Sequence, residues 1–205
     1  LIDSGLDSLP GAGAEILVDR VRKKVSPAKA STAEWLGVMR EAHKLNLPTS
    51  ATMMFGHAET VAERIEHLIR LRDLQDEKPE GHYGFITFIP WPFMDRGTPL
   101  ADKDGIRSNV TAADYLRMVA ISRLVLDNIP NIQSSILTVG RDTAMISLHG
   151  GANDLGSVMI EENVVSAAGD AFRVNPEEIK QIISDAGFIP VRRDQCYIAV
   201  GEPGK

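Results

Sequence analysis

Apolar and polar positions along the chain alternate between two periods. Residues 1–9 form an apolar run closed by Pro10-Gly11-Ala12-Gly13, and residues 14–24 carry Ile16, Leu17 and Val21 at helical spacing. That pattern predicts a strand, a tight glycine turn and a helix. Ser31 with Glu34 is a capping box, and the helix it opens runs through Trp35, Leu36, Met39 and Ala42 until Leu47-Pro48 stops it. Residues 50–56 read as a buried strand, after which Thr60 with Glu63 opens a helix carrying Val61, Ile65, Leu68 and Ile69. Residues 84–89 are a strand and 90–99 a proline-rich loop. Thr111 with Asp114 then opens a helix through Tyr115, Val119 and Leu126. A strand at 132–139, a short helix near 142–148 and a short strand at 152–155 complete the alternation. Asn175-Pro176-Glu177 opens one more helix to Ala186, a strand is expected at 188–200, and 201–205 reads as a frayed tail.

Strands alternating with helices imply parallel βα units, whose strands are covered on both faces and so read as continuous apolar runs. About five such units, without the glycine pattern of dinucleotide-binding folds, suit part of a (β/α)₈ barrel. The expected fold class is therefore α/β: the C-terminal portion of a TIM-type barrel, strands four to eight, over 1–172, with a helix–strand extension at 173–205 packed on it.

Composition narrows the partners. The net charge is −6, from 22 basic and 28 acidic residues, with no basic stripe beyond Arg20 to Lys24, so nucleic acid is not expected as a partner. No apolar run approaches the ~20 residues of a membrane span, which predicts a soluble chain. The single cysteine, Cys196, excludes an internal disulfide and a multi-cysteine metal site within this chain and fits a cytoplasmic protein. No metal is expected to be held by these residues alone. The chain opens Leu1-Ile2-Asp3, without Met and directly in an apolar run, so further residues are expected upstream.

The candidate chemistry lies in clusters expected just beyond the strands, the end at which barrels hold their active sites. Gly150-Gly151-Ala152-Asn153-Asp154-Leu155-Gly156-Ser157, with Glu161 and Glu162 after it, sets amides and carboxylates among glycines; an Asx turn before a capped helix would use the same residue types. Glu15 either caps its helix or accepts hydrogen bonds from vicinal hydroxyls such as a ribose. Gly56 would let a ligand ring approach the backbone, with Met53 or Met54 packed on it. His57 is a candidate acid or base, or a structural histidine. Trp91 and Phe93, flanked by prolines, could stack on a substrate or cap the barrel rim. Together they describe a cavity for a small polar molecule.

Several of these stretches are familiar. Pro10-Gly11-Ala12-Gly13-Ala14-Glu15-Ile16-Leu17, Ser50-Ala51-Thr52-Met53-Met54-Phe55-Gly56-His57, Asp127-Asn128-Ile129-Pro130-Asn131-Ile132-Gln133 and Gly151-Ala152-Asn153-Asp154 resemble radical S-adenosylmethionine (SAM) enzymes of the menaquinone and deazaflavin branch. Within that branch Met159-Ile160-Glu161-Glu162-Asn163-Val164-Val165-Ser166-Ala167-Ala168-Gly169, and Arg193-Asp194 with Tyr197, look most like the cyclic dehypoxanthinyl futalosine synthases. The resemblance implies a barrel in which a [4Fe-4S] cluster and SAM generate a 5′-deoxyadenosyl radical, with an external electron donor, to cyclise dehypoxanthine futalosine in menaquinone biosynthesis. By it, Glu15 lies near the SAM ribose, and Thr52, Met54 and Gly56 fall in the family's strand-five motif beside adenine. Asp154, Glu161 and His57 are the implied catalytic residues, and Asn153, Glu162, Trp91 and Ser135 the implied substrate contacts.

The chain departs from the family pattern in ways that matter. The cluster motif CxxxCxxC and the first three barrel strands are absent, Thr52 replaces the first glycine of the strand-five pattern, and Ser134-Ser135-Ile136 stands where relatives often carry a tryptophan. A barrel lacking three strands exposes parallel edges, so this chain alone is expected not to cleave SAM. The alternatives are a sibling, aminofutalosine synthase or a deazaflavin synthase subunit, and, from another class, a non-catalytic ligand-binding barrel fragment. An aldolase-type lyase would need a strand-end lysine, and none is evident.

Overall fold

A computed structural model describes residues 1–156 and 174–201. Its elements are α1 (Asp19–Val25), α2 (Thr32–Lys44), β1 (Thr49–Phe55), α3 (Val61–Asp76), β2 (Phe85–Pro92), α4 (Pro99–Asp104), α5 (Ala112–Val125), β3 (Asn131–Ile132), α6 (Ile136–Ser147) and α7 (Pro176–Asp185), after a 3₁₀ turn at Ile2–Ser4. The strands form a parallel sheet in the order β1-β2-β3, so the chain is mixed α/β with helical crossovers, as expected of part of a TIM-type barrel. Single parallel bridges, Leu9 to Thr49 and Gln133 to Asp154, add one segment on each side. Five parallel segments thus lie side by side, three of them as ladders.

Local signals set the helices. Capping boxes close reciprocally at Ser31 and Glu34, Thr60 and Glu63, Thr111 and Asp114, and Asn175 and Glu178. Each satisfies two backbone donors that the first helical turn would otherwise leave open.

One face of the sheet is the core. Ala51, Met53 and Phe55 of β1, Phe85 and Phe88 of β2 and Ile132 of β3 pack on Leu17, Val21, Trp35, Met39, Leu68, Leu71, Tyr115 and Val119 from the surrounding helices. In the register, Ser50 lies beside Thr87, Thr52 beside Ile89 and Met54 beside Trp91. Because side chains alternate along a strand, these six residues share the opposite, open face.

The β2–β3 ladder is short for a covalent reason. Phe93 N–H donates to the Phe55 carbonyl at 2.8 Å and Gln133 N–H to the Phe88 carbonyl at 2.9 Å. Beyond the register shift at the start of β2, where Gln75 takes both backbone groups of Phe85, odd-numbered residues therefore serve β1 and even-numbered ones serve β3. Pro90 and Pro92 fall on the β3 side, where they have no N–H to give.

Several expected elements differ. Residues 1–9 are not a strand: they form the 3₁₀ turn, ended by Gly5 at φ 92°, and only Leu9 bridges to β1. The helix expected from Ala14 starts at Asp19, because 11–15 runs along the edge of β1, with Met54 N–H donating to the Glu15 carbonyl at 3.1 Å. The strand expected at 132–139 ends early and Ile136 begins α6, which breaks at Gly140 (φ 77°, ψ 171°); the same apolar residues serve helix packing. Residues 152–155 make a single bridge, and 188–200 hold only the bridge between Arg193 and Ala199. α7 is as expected, and it packs Ile179, Ile182 and Ile183 against Ile136, Ala144 and Leu155.

Candidate functional site

The open face is polar where a fully covered parallel strand would be apolar. Following the register across the sheet, Ser50, Thr87 and Asn131 form its lowest row, and Thr52, Ile89, Gln133 and Asp154 the row above. Met54 and Trp91 stand highest, with Glu15 beside Met54 on one flank and the Ser134–Ser135 turn beside Pro90 on the other. A parallel sheet gives up apolar burial on one face where that face receives something polar.

The β1 flank is tightly built. Gly11 N–H donates to Ser50 Oγ and Thr52 Oγ1 donates to the Gly11 carbonyl, both at 3.0 Å. A Cβ on Gly11 would stand 1.8 Å from the Ser50 carbonyl oxygen, so only glycine lets this loop approach β1. The loop delivers Glu15, 7% exposed and at φ 46°, to the upper row, where Lys29 Nζ donates to its Oε1 at 2.6 Å. Thr52, expected at a cofactor, is thus committed to holding this loop.

The turn after β1 is locked by Glu59. Its Oε1 accepts from Gly56 N–H at 2.6 Å and from Arg64 at 2.8 Å, and its Oε2 accepts from His57 N–H at 2.9 Å and lies 2.9 Å from His57 Nδ1. Burial works against the charged form, but the hydrogen bond and charge of His57 and the two backbone donors outweigh it and hold the carboxyl at about 2. Arg64 also lies over the Phe55 ring, 5.0 Å from its centre. His57 has no exposed side-chain surface: Nε2 lies 2.9 Å from the Met54 carbonyl, and the ring meets Phe93 edge-on at 5.9 Å. Expected as an acid or base, His57 is instead a buried part of the turn, with both nitrogens engaged. Gly56, expected under a ligand ring, sits at φ 93° beneath Val110, whose Cγ2 is 2.2 Å from where a Cβ would be.

At the other flank, buried Tyr115 organises the turn that carries Ser135. Its hydroxyl lies 3.3 Å from both the Pro90 carbonyl and Ser134 Oγ, and accepts from Ser135 N–H at 2.9 Å. Burial pushes the phenol's pKa upward. Ser135 Oγ in turn accepts from Thr138 at 2.9 Å.

Asn153 and Asp154, expected side by side in one site, face opposite ways. Asn153 Oδ1 accepts from Ile132 N–H at 2.8 Å and from Arg123 of α5 at 3.1 Å, and its amide reaches Asn131 Oδ1 at 3.0 Å. It clamps the sheet to the helix layer. Asp154 turns to the open face, where Oδ2 accepts from Arg193 and from the Tyr197 hydroxyl, both at 2.6 Å, and Oδ1 accepts from Gly156 N–H at 3.2 Å. Asp154 and Arg193 also line a cavity of about 810 Å³ with Leu155, Ile183, Phe188 and Val191.

The structure therefore gathers Glu15, Met54, Trp91 and Ser135 at one end of the open face, with Thr52 and Asp154 a row below. Glu161 and Glu162 lie outside the described residues. Sequence reasoning placed Glu59 in the cluster Gly56 to Glu59 without a role of its own, and missed Gln133 and Tyr115. Gln133 had a signal, since Asn131-Ile132-Gln133 alternates polar and apolar as a half-open strand does. Among the described residues no group of three His, Cys, Asp or Glu side chains could hold a metal ion, and no helix is long and apolar enough to cross a membrane.

Comparison with known proteins gives this face a context. A family model described as "CofH/MqnC C-terminal region" matches residues 82–204. The chain is 46% identical over 194 residues to a cyclic dehypoxanthine futalosine synthase of Streptomyces coelicolor, covering 95% of this chain and 47% of that protein. It is 44% identical over 199 residues to an aminodeoxyfutalosine synthase of Thermus thermophilus, covering 96% and 52%. To a 5-amino-6-(D-ribitylamino)uracil–L-tyrosine 4-hydroxyphenyl transferase of Methanosarcina acetivorans it is 42% identical over 200 residues, covering 95% and 52%. The chain spans about half the length of the curated relatives it matches. With the family model matched over more than half of its residues, the chain belongs to the CofH/MqnC family, in that family's C-terminal region.

Proposed function

We propose that this chain is the substrate-facing half of a cytoplasmic radical SAM enzyme that cyclises dehypoxanthine futalosine to cyclic dehypoxanthinyl futalosine in menaquinone biosynthesis. The observation that carries the reading is the polar open face, with its rows of Ser50, Thr52, Thr87, Gln133 and Asp154 under Met54 and Trp91. The name of the Streptomyces coelicolor relative supports the choice of reaction.

The residues present divide the cofactors. An iron–sulfur cluster does not fit here, because the chain holds one cysteine and its described residues form no metal-binding group. The cluster's ligands belong to the part of the protein outside this chain. SAM fits better: Glu15, whose carbonyl accepts from Met54 N–H, brings a buried carboxylate with Lys29 on Oε1 to the end of the face where Met54 stands, and a carboxylate and a thioether suit vicinal hydroxyls and an aromatic base. When bound, SAM would supply the hydrogen-abstracting radical chemistry of the family. Glu15 then holds the nucleoside, Trp91 covers an aromatic group, Ser135 offers a hydroxyl, and Asp154 presents a fixed negative charge to the substrate.

The test is turnover. The full-length protein, reconstituted anaerobically with reductant and SAM, should consume dehypoxanthine futalosine and release 5′-deoxyadenosine. Turnover of only the aminodeoxyfutalosine synthase substrate, or only of tyrosine with the ribitylaminouracil, would reassign the chain to a sibling. Release of 5′-deoxyadenosine by the 205-residue chain alone would overturn the half-enzyme reading.

A further inference from the structure

The C-terminal segment reaches into the open face from far along the sequence. Beyond α7 the chain folds into a tight turn: Arg193 bridges Ala199, Asp194 N–H donates to the Ile198 carbonyl at 2.9 Å, and Asp194 Oδ1 accepts from the N–H groups of Cys196 and Ile198. The turn holds Tyr197 at φ 64°, a left-handed conformation that a bulky residue keeps only when its surroundings demand it. Those surroundings are specific. The phenol oxygen lies 2.6 Å from Asp154 Oδ2 and 2.8 Å from Thr87 Oγ1, 110 residues away, and the Arg193 guanidinium stacks 3.8 Å from the ring centre while donating to the same Asp154 oxygen. Thr87 and Asp154 both belong to the open face, in adjoining rows below Met54 and Trp91.

We propose that Tyr197 is a positioning residue of the site: its hydroxyl pins the Asp154 carboxylate, and the hairpin at 192–200 that carries it completes the wall of the open face. The inference deepens the functional reading above and rests on it for the claim that this face receives substrate. Two donors on Oδ2 and one on Oδ1 leave Asp154 a directed charge rather than a free base. The backbone strain at Tyr197 is retained because the phenol, and not merely an aromatic ring, is bonded. Burial and the adjoining Asp154 charge also push the phenol's pKa upward, so Tyr197 keeps its proton for this bond.

Y197F keeps the ring and its stack with Arg193 and removes only the hydroxyl, while D154N removes the charged acceptor. In the full-length protein, trypsin cleavage after Arg192 or Arg193 should speed up at least tenfold in each variant as the hairpin comes free. In the cyclisation assay Y197F should lower kcat at least tenfold, with KM within threefold, because Asp154 loses a donor that fixes its direction. Wild-type cleavage rates in Y197F would overturn the pin. A freed hairpin with wild-type kcat would overturn the positioning role and leave Tyr197 an anchor of the fold. Should the wild-type protein turn over none of the relatives' substrates, the functional reading fails separately, and the cleavage rates still decide the pin.

Discussion

Replacing Glu59 by Gln tests whether one buried carboxylate holds the turn after β1. Three donors converge on Glu59, Gly56 N–H and Arg64 on Oε1 and His57 N–H on Oε2, and the His57 ring lies 2.9 Å from Oε2. A carboxamide has one oxygen, so either rotamer turns an NH₂ group toward donors. The carboxyl is held at about 2 against an ordinary 4.5. At about 1.4 kcal/mol per unit that difference is worth roughly 3 kcal/mol, or about 2 kcal/mol after partial solvent screening. The folded-state value is depressed, so the stabilisation is complete above pH 4.5 and is lost as pH falls toward 2. Urea denaturation followed by circular dichroism, on the full-length protein and its E59Q variant, should show a gap of about 2 kcal/mol at pH 7 that shrinks to less than half by pH 3. A gap below about 0.5 kcal/mol at pH 7, or one unchanged down to pH 3.5, would refute the reasoning.

Three further perturbations have clear directions. His67 is fully buried, with Nδ1 accepting from Leu17 N–H at 3.0 Å, and burial holds it at about 3; burial, then Lys78 and Arg40, hold His43 at about 4. Both lie below the ordinary 6.5, so the unfolded chain takes up protons first, and stability that is full above pH 6.5 declines through pH 5, by about 2 kcal/mol for His67; equal denaturation midpoints at pH 7 and pH 5 would contradict this. Y115F removes the acceptor of Ser135 N–H and the contact with Ser134, and should cost about 1–3 kcal/mol in urea titration. G11A drives a Cβ against the Ser50 carbonyl, a backbone atom that cannot swing aside, and should lower the melting temperature, whereas G37A, whose Cβ meets open space, should not; equal losses would count against the close approach.

The helices were legible because their signals are local. The capping boxes at Ser31, Thr60, Thr111 and Asn175 all form, since each needs only residues three apart. β1 and β2 were legible from short runs rich in apolar residues and closed by glycine or proline. Residues 1–9 and 132–139 misled because an apolar stretch does not say whether a neighbouring strand exists to receive it. Within the candidate site, Glu15, Met54 and Trp91 lie at one end of the open face because each stands at the end of a strand or edge segment that the sequence marks by its closing glycine or proline. Asn153 and Asp154 looked like one motif, yet adjacent residues of an extended segment face opposite sides. Tyr197 meets Thr87 across 110 residues, a pairing that no local pattern encodes.

The two prolines of β2 give the barrel wall a seam. On the β1 side the sheet is stitched along its length, whereas above Phe88 the β2–β3 side is joined through one phenol, Tyr115, acting as a bolt between Pro90 and the Ser134–Ser135 turn. Strain applied to this wall concentrates along that line, because parting it breaks a few side-chain contacts and spares every ladder. The sheet is thus two panels, one bearing Glu15 and Trp91 and the other Ser135 and Asp154, riveted across the seam by two phenols: Tyr115 above, and Tyr197 below between Thr87 and Asp154.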